Sequence, residues 1–347
     1  VVDVANAIRD HGGIEAVAVN LLFSYVNPVH ELRVREILQK ELGDMPISVS
    51  FEVLPKWKEY ERASTTLADA YLKPIVQRYV GDMRDRFNAA SVTQQVAMIK
   101  SNGGEMSLEM AKQHPVQLTI SGPTGGVVAA RTVGQLTDTP NVVTLDMGGT
   151  STDCATIIDH EIAYTTDFEI SFSLPIQIPM LDIRTIGAGG GSIAWIDSGG
   201  MLRVGPQSAG AAPGPACYDQ GGEFATVTDA NLILGRLDPD KFLNGKMPLN
   251  RERAEQALAT LGQQIGMSTE QVALAIVRIV NTNMAGALRT VLIERGLDPR
   301  DFTLMAFGGA GPLHAADLMR EAGIGRAIVP MFPGQFSAFG FIVADAK

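Results

Sequence analysis

Two short apolar segments, Val142-Val143-Thr144-Leu145 and Ala155-Thr156-Ile157-Ile158, bracket the octet Asp146-Met147-Gly148-Gly149-Thr150-Ser151-Thr152-Asp153, and no other stretch constrains the chain as much. Two strand-like runs this close in sequence can pair only as an antiparallel hairpin. Glycines at its tip let the backbone approach a ligand and turn successive N–H groups toward an anion, while the hydroxyls of Thr150, Ser151 and Thr152 add donors. A phosphate cradle is therefore predicted, with Gly148 and Gly149 at its centre. Asp146, at the end of the first strand, suits a hard cation such as Mg²⁺ held through water, or the orientation of an attacking group. The plainer reading is a glycine-rich turn capped by Asp146; the full D-x-G-G-T-x-x-D pattern between two apolar strands favours phosphate.

A second glycine cluster, Phe307-Gly308-Gly309-Ala310-Gly311-Pro312-Leu313-His314, carries an apolar strand into the start of a helix. Backbone able to lie close to a flat ring, beside a helix N-terminus, suits a nucleotide, although such turns also arise for tight packing alone. Gly189-Gly190-Gly191 reads equally well as a face toward the nucleotide or as a tight turn. His314 borders an adenine or packs at a helix start, and Asp182 and Asp229 contact substrate or cap turns. Cys217 has no histidine near it in sequence to make it a thiolate, so it is expected to pack structurally. His11, His30, His114 and His160 have no metal-ligand spacing.

Around these loops the pattern is α/β. Strands are expected at 17–23, 47–53, 96–99, 116–120, 142–145, 155–158, 303–307 and 327–330, and helices from Pro28, over 57–87, 127–136, 228–236, 250–265, 269–295 and 312–321. Ser121-Gly122-Pro123-Thr124-Gly125-Gly126 reads as a loop, and 187–222 as a Gly- and Pro-rich stretch. A Pro-containing joint at 137–141 is the expected lobe boundary.

Composition excludes several classes. With 46% hydrophobic and 19% charged residues, the chain is neither disordered nor fibrous. A net charge of −10 without a basic stripe disfavours nucleic acid. The two cysteines, Cys154 and Cys217, form no C-x-x-C pair. No apolar run reaches the roughly 18 residues a spanning helix needs, so no membrane partner is expected and the location is read as cytoplasmic.

The hairpin followed by the 308–314 loop resembles the second phosphate loop and adenosine loop of the actin/heat-shock-chaperone/sugar-kinase superfamily. More specifically, the 121–126, 146–153, 185–193, 210–218, Thr228-Asp229-Ala230-Asn231 and 308–314 motifs, in this order, are similar to the series of the hydantoinase A/5-oxoprolinase family, which includes the ATP-dependent N-methylhydantoinases and the beta subunit of acetone carboxylase. The resemblance implies a two-lobed ribonuclease-H-like α/β fold, with 1–138 the remainder of a first ATPase lobe and 139–347 the second. ATP and Mg²⁺ are the implied cofactors, and ATP would lie between the lobes. Asp146 and Asp153 are the implied catalytic residues, with Asp146 on the metal; Gly122, Gly148, Gly149, Thr150, Ser151, Thr152, Gly189, Gly190, Gly308, Gly309 and Gly311 are the implied nucleotide contacts. The implied reaction is ATP-dependent opening of a cyclic amide such as a hydantoin or 5-oxoproline, in an oligomer with a hydantoinase B-type subunit or domain. A carboxylase of the same family and a nucleotide-regulated assembly or chaperone module are the alternatives. Family members begin with a further D-x-G-G-T-type hairpin and continue well past the 339–345 segment, so the chain is expected to be a central piece with an incomplete first lobe, inactive by itself.

Overall fold

The computed structural model describes residues 1–92, 94, 96–170 and 173–344, and these form two compact units. In the first, α1 (Val2–His11), β1 (Val17–Val19), α2 (Val29–Leu42), β2 (Ile47–Val49), α3 (Ser50–Val53) and the long α4 (Glu59–Ala89) build a small α/β layer in which β1 and β2 run parallel. Its apolar centre is Ala5, Val19, Leu38 and Val49. Both strands stop well short of the expected 17–23 and 47–53, for one reason. The Glu31 carboxylate, buried on α2, accepts from the N–H of Leu21, the hydroxyl of Ser50 and the N–H of Phe51, so these groups bond to a side chain instead of a ladder. The hairpin of β3 (Ala97–Ile99) and β4 (Glu105–Ser107) follows, then α5 (Leu108–Gln113).

The strand expected at 116–120 is absent. Pro115–Leu118 forms a 3₁₀ turn instead, because Val116 N–H donates to buried Asp69 and the Gln117 carbonyl accepts from Ser101. The 121–126 motif is not a loop either. It makes the opening turns of α6 (Ser121–Leu136), where Pro123 fits because a first turn leaves its N–H positions unpaired.

The second unit is organised by a six-stranded sheet. The expected hairpin is present as β5 (Val142–Met147) and β6 (Thr152–Ile158), with β7 (Glu161–Ile162) on the far end of β6. A passage from β8 (Tyr164–Thr165) through β9 (Phe168–Glu169) and β10 (Pro175–Ile176) to β11 (Met180–Leu181) belongs to the first unit. The chain returns as β12 (Ile183–Ile186), the hairpin β13 (Ser192–Ile196) and β14 (Leu202–Ser208), then α7 (Val227–Ile233), α8 (Arg251–Ile265) and α9 (Thr269–Ile293). The last elements are β15 (Thr303–Phe307), α10 (Gly311–Ala322), β16 (Arg326–Ile328) and α11 (Phe336–Ile342). The sheet order is β12-β6-β5-β15-β16 with β7 beside the far end of β6, and β6 alone runs against the direction of the others. One reversed strand beside the first, and the last two strands added in parallel on its other side, is the ribonuclease-H-like arrangement.

Alternation along β5 sends Val143, Leu145 and Met147 to a core shared with α7 to α10 and leaves Asp146 on the opposite side. Helix α9 is the axis of that core, burying Val272, Ile276, Val280, Met284 and Leu288 at four-residue spacing. It starts at a capping box in which Ser268 and Gln271 satisfy each other's backbone N–H groups. Its length and composition would suffice to cross a membrane, but half of that apolar window is buried within the unit.

The units divide at Thr124/Gly125, inside α6, and not at 138/139. From Gly125 onward α6 lies on elements of the second unit: Phe341 and Ser337 approach Gly125, Phe307 approaches Gly126, and Val142 approaches Gly134. The 164–181 passage joins the first unit because Gln177 N–H donates to Thr65 on α4 and Leu181 N–H donates to Ser101.

Candidate functional site

Two glycine-bearing segments of the second unit, 189–191 and 308–311, converge on the β5–β6 hairpin. The turn is closed by Gly148 N–H donating to the Ser151 carbonyl at 3.0 Å. From one side Gly190 and Gly191 donate to the carbonyls of Gly148 and Gly149, at 3.0 and 2.6 Å; from the other Ala310 donates to the Met147 carbonyl at 3.0 Å. Neither neighbour tolerates a side chain. A Cβ on Gly189 would stand 2.6 Å from the Gly149 carbonyl oxygen. One on Gly308, whose φ is +81°, would stand 2.4 Å from the Met147 carbonyl oxygen and 2.5 Å from Asp146 Oδ1. A Cβ on Gly311 would stand 3.3 Å from the Leu145 carbonyl oxygen, a tight contact, and Gly309 has nothing within 4 Å.

The consequence is electrostatic. The carbonyls of residues 147, 148, 149 and 151 all accept from the protein, whereas among the described residues the N–H groups of Gly149, Thr150 and Ser151 donate to no protein acceptor. Gly149 and Thr150 are exposed. A turn with four of its five carbonyls tied inward and three successive N–H groups free presents partial positive charge, which is what binds an anion.

Several expected contacts are spent internally. Thr152 is fully buried, its hydroxyl donating to the Ala188 carbonyl and lying 3.5 Å from Met284 Sδ, so it anchors the hairpin to the core and does not face the tip. The Gly148 N–H closes the turn. Gly189 and Gly190 donate to Ser192 Oγ and to Gly148, so they buttress the hairpin and offer no N–H to a ligand. Gly122 sits in the first turn of α6, in the first unit, with open space where a Cβ would stand. Gly149, Thr150 and Ser151 remain at the tip itself, and Gly309 lies open in the neighbouring turn between β15 and α10.

On the face away from the core, neighbouring strands place Phe307, Asp146, Asp153 and Thr185 in one row. The two carboxylates are a cross-strand pair. Burial, the Asp153 charge beside it and a partly compensating hydrogen bond from Ser337 leave Asp146 pushed up to about 6. Asp153 is likewise raised by burial and partly relieved by the Thr185 hydroxyl, at 2.5 Å. Among the described residues no ion pair involves either carboxylate, and no three His, Cys, Asp or Glu side chains cluster as a metal site. Two carboxylates with water and phosphate oxygens are, however, a donor set that Mg²⁺ accepts, so the pair fits that ion.

The remaining candidates are structural. His314 is buried where α7, α9 and α10 meet, Nδ1 2.6 Å from Asn281 Oδ1 and Nε2 3.2 Å from Asn231 Nδ2. Burial and nearby Arg236 push its pKa down to about 4, only partly offset by Asp317. Asp229 completes the capping box of α7 and also accepts from the N–H groups of Ala216 and Cys217, clamping the 210–218 loop. Burial and the same carboxylate push the Cys217 thiol far up, so it is no nucleophile. Asp182 pairs with Arg295. Sequence reasoning missed Ser337 altogether. It lies 191 residues from Asp146 and no local pattern links the two.

The chain is similar to known proteins in sequence and in fold. The chain is 39% identical over 335 residues to the alpha chain of the caprolactamase of Pseudomonas jessenii, covering 96% of this chain and 48% of that one. It is 38% identical to the acetophenone carboxylase gamma subunit of Aromatoleum aromaticum, covering 96% and 46%. The nucleotide-free structure of acetone carboxylase, from a study of ATP-dependent acetone carboxylation, superposes with a TM-score of 0.89 at 29% identity, over 99% of this chain and 49% of that one. The chain thus spans about half the length of these relatives. The Hydantoinase/oxoprolinase family model matches residues 62–347 and the model for the N-terminal region of that family matches residues 1–42, with the glycine segments around the hairpin inside the longer match, and the chain belongs to the hydantoinase/oxoprolinase family.

Proposed function

We propose that the β5–β6 hairpin binds the phosphates of ATP, and that the protein containing this chain uses ATP to open a cyclic amide. The observation that carries the reading is the polarity of the hairpin tip: four carbonyls tied inward and the N–H groups of Gly149, Thr150 and Ser151 left to a ligand. Thr150 and Ser151 add hydroxyl donors, and Gly309 keeps the neighbouring turn open. Asp146 and Asp153 would hold Mg²⁺, which neutralises phosphate charge when bound.

An amide carbonyl is a poor electrophile, and ATP supplies the activation: phosphorylation of its oxygen draws electrons from the carbon so that water adds, the C–N bond of the adduct breaks with the ring nitrogen leaving as a protonated amine, and a second water releases phosphate from the acyl phosphate that remains. The protein's part is positioning and charge stabilisation. The free N–H groups hold the phosphates where they cannot rotate away, and Asp146 orients the metal or a water. A multi-chain enzyme is supported by the names of the relatives, which are themselves designated subunits. The carboxylase reading rests on the acetophenone carboxylase likeness and uses the same phosphate site.

Phosphate release by the full-length protein with its partner tests both. Stimulation by a lactam, a hydantoin or 5-oxoproline supports the amidohydrolase, and stimulation by a ketone with bicarbonate supports the carboxylase. ATP turnover that none of these substrates alters would refute a coupled enzyme and leave a nucleotide-regulated module.

A further inference from the structure

We infer that Ser337 is a positioning residue for Asp146, fixing which carboxylate oxygen is presented to a metal–nucleotide ligand; this rests on the nucleotide reading above. Ser337 Oγ donates to Asp146 Oδ2 at 3.3 Å, and among the described residues no other side chain donates to this carboxylate. The other oxygen, Oδ1, lies against Gly308, where a Cβ would come within 2.5 Å. One oxygen is therefore held by a hydroxyl and the other is bordered by a residue that must remain glycine.

The donor is itself held in place. Phe336, next to Ser337, packs on Phe307 with ring centroids 4.8 Å apart, and Phe307 is the ladder neighbour of Asp146. The other side of α11 meets α6 through glycines. A Cβ on Gly340 would stand 1.7 Å from the Gly125 carbonyl oxygen, one on Gly125 2.6 Å from the Ser337 carbonyl oxygen, and one on Gly126 3.0 Å from Ser337 Oγ. Helix α11 therefore has little freedom to slide, and a fixed hydroxyl holds a carboxylate rotamer better than a mobile one. Residues that orient a metal-binding carboxylate in this way commonly change metal affinity by about 10–100-fold when removed.

The test is calorimetric titration of the full-length protein with ATP in Mg²⁺ and with ATP in EDTA, the readout being the ratio of the two affinities. The wild-type protein is expected to bind more tightly with Mg²⁺, and Asp146→Asn to abolish that preference. Ser337→Ala should reduce the preference about tenfold, leaving the melting midpoint and metal-free binding unchanged, and Ser337→Thr, which keeps the hydroxyl, should retain it. Ser337→Cys repeats the test with a weaker donor if the alanine variant folds poorly. Adding Ser337→Ala to Asp146→Asn should change nothing further, because the serine acts through the aspartate. An unchanged preference in Ser337→Ala and Ser337→Cys, with the preference lost in Asp146→Asn, overturns the role of Ser337 alone. A preference that survives Asp146→Asn takes Asp146 off the metal and overturns this inference while leaving the nucleotide reading in place; no ATP binding by the wild-type protein overturns the nucleotide reading and this inference with it.

Discussion

Replacing Gly308 by alanine should loosen the hairpin from outside it, and the structure gives the size of the effect. At φ +81° an L-residue costs about 1–2 kcal/mol in backbone strain alone. The added methyl would also meet the Met147 carbonyl oxygen at 2.4 Å and Asp146 Oδ1 at 2.5 Å. The first is backbone at the end of the central strand β5, itself held by Ala310 N–H, and cannot yield cheaply, so overpacking adds about 1–3 kcal/mol. The loss is about 2–5 kcal/mol, and for a unit of roughly 200 residues each kcal/mol lowers the midpoint by about 2–4 °C. Gly309→Ala is the control: its φ is not left-handed and nothing stands within 4 Å of the new methyl, so its cost should stay below about 1 kcal/mol. Differential scanning calorimetry of the two variants and the parent measures this directly. Equal midpoints for Gly308→Ala and Gly309→Ala would refute the close approach of the 308–311 turn to Met147 and Asp146.

Other expectations follow from single contacts. His314 is held neutral, accepting at Nε2 from Asn231 and donating at Nδ1 to Asn281. Its folded pKa of about 4 lies below the ordinary histidine value of 6.5, so the unfolded chain binds more protons between those values and stability should fall as pH drops from 6.5 through 4, by up to about 3 kcal/mol. Urea unfolding across that window should lose part of its pH slope in His314→Gln; an unaltered slope would place the titration elsewhere. Thr152→Val should cost about 1–3 kcal/mol in the same assay by leaving the Ala188 carbonyl unpaired, whereas Thr150→Val, at an exposed position, should cost less than about 0.5. In the full-length protein the same Thr150→Val change should weaken ATP binding, read by titration. Cys154, pushed up to about 12, and Cys217 are both buried, so neither should react with iodoacetamide at neutral pH until the protein unfolds; prompt labelling would contradict their placement.

The hairpin, the strand at 303–307 and the helices of the second unit were legible in the sequence because each is specified locally. Apolar runs of strand length flank a glycine turn at 146–153, apolar residues recur at helical spacing through α9, and glycines sit where backbones must touch. Local signals failed wherever a distant side chain took over the backbone's hydrogen bonds. Glu31 ends two strands early, Asp69 helps to turn 116–120 into a 3₁₀ turn, and neither effect has a mark in the segments it alters. The same division runs through the site. Residue pattern alone was enough to specify a glycine hairpin flanked by Asp146 and Asp153. Long-range packing had to add that Thr152 faces the core, that Gly189 and Gly190 brace the turn, that the free N–H groups are those of Gly149, Thr150 and Ser151, and that Ser337 reaches Asp146. Pattern sets which groups a turn offers, while the contacts made by remote elements set which of those groups are already used.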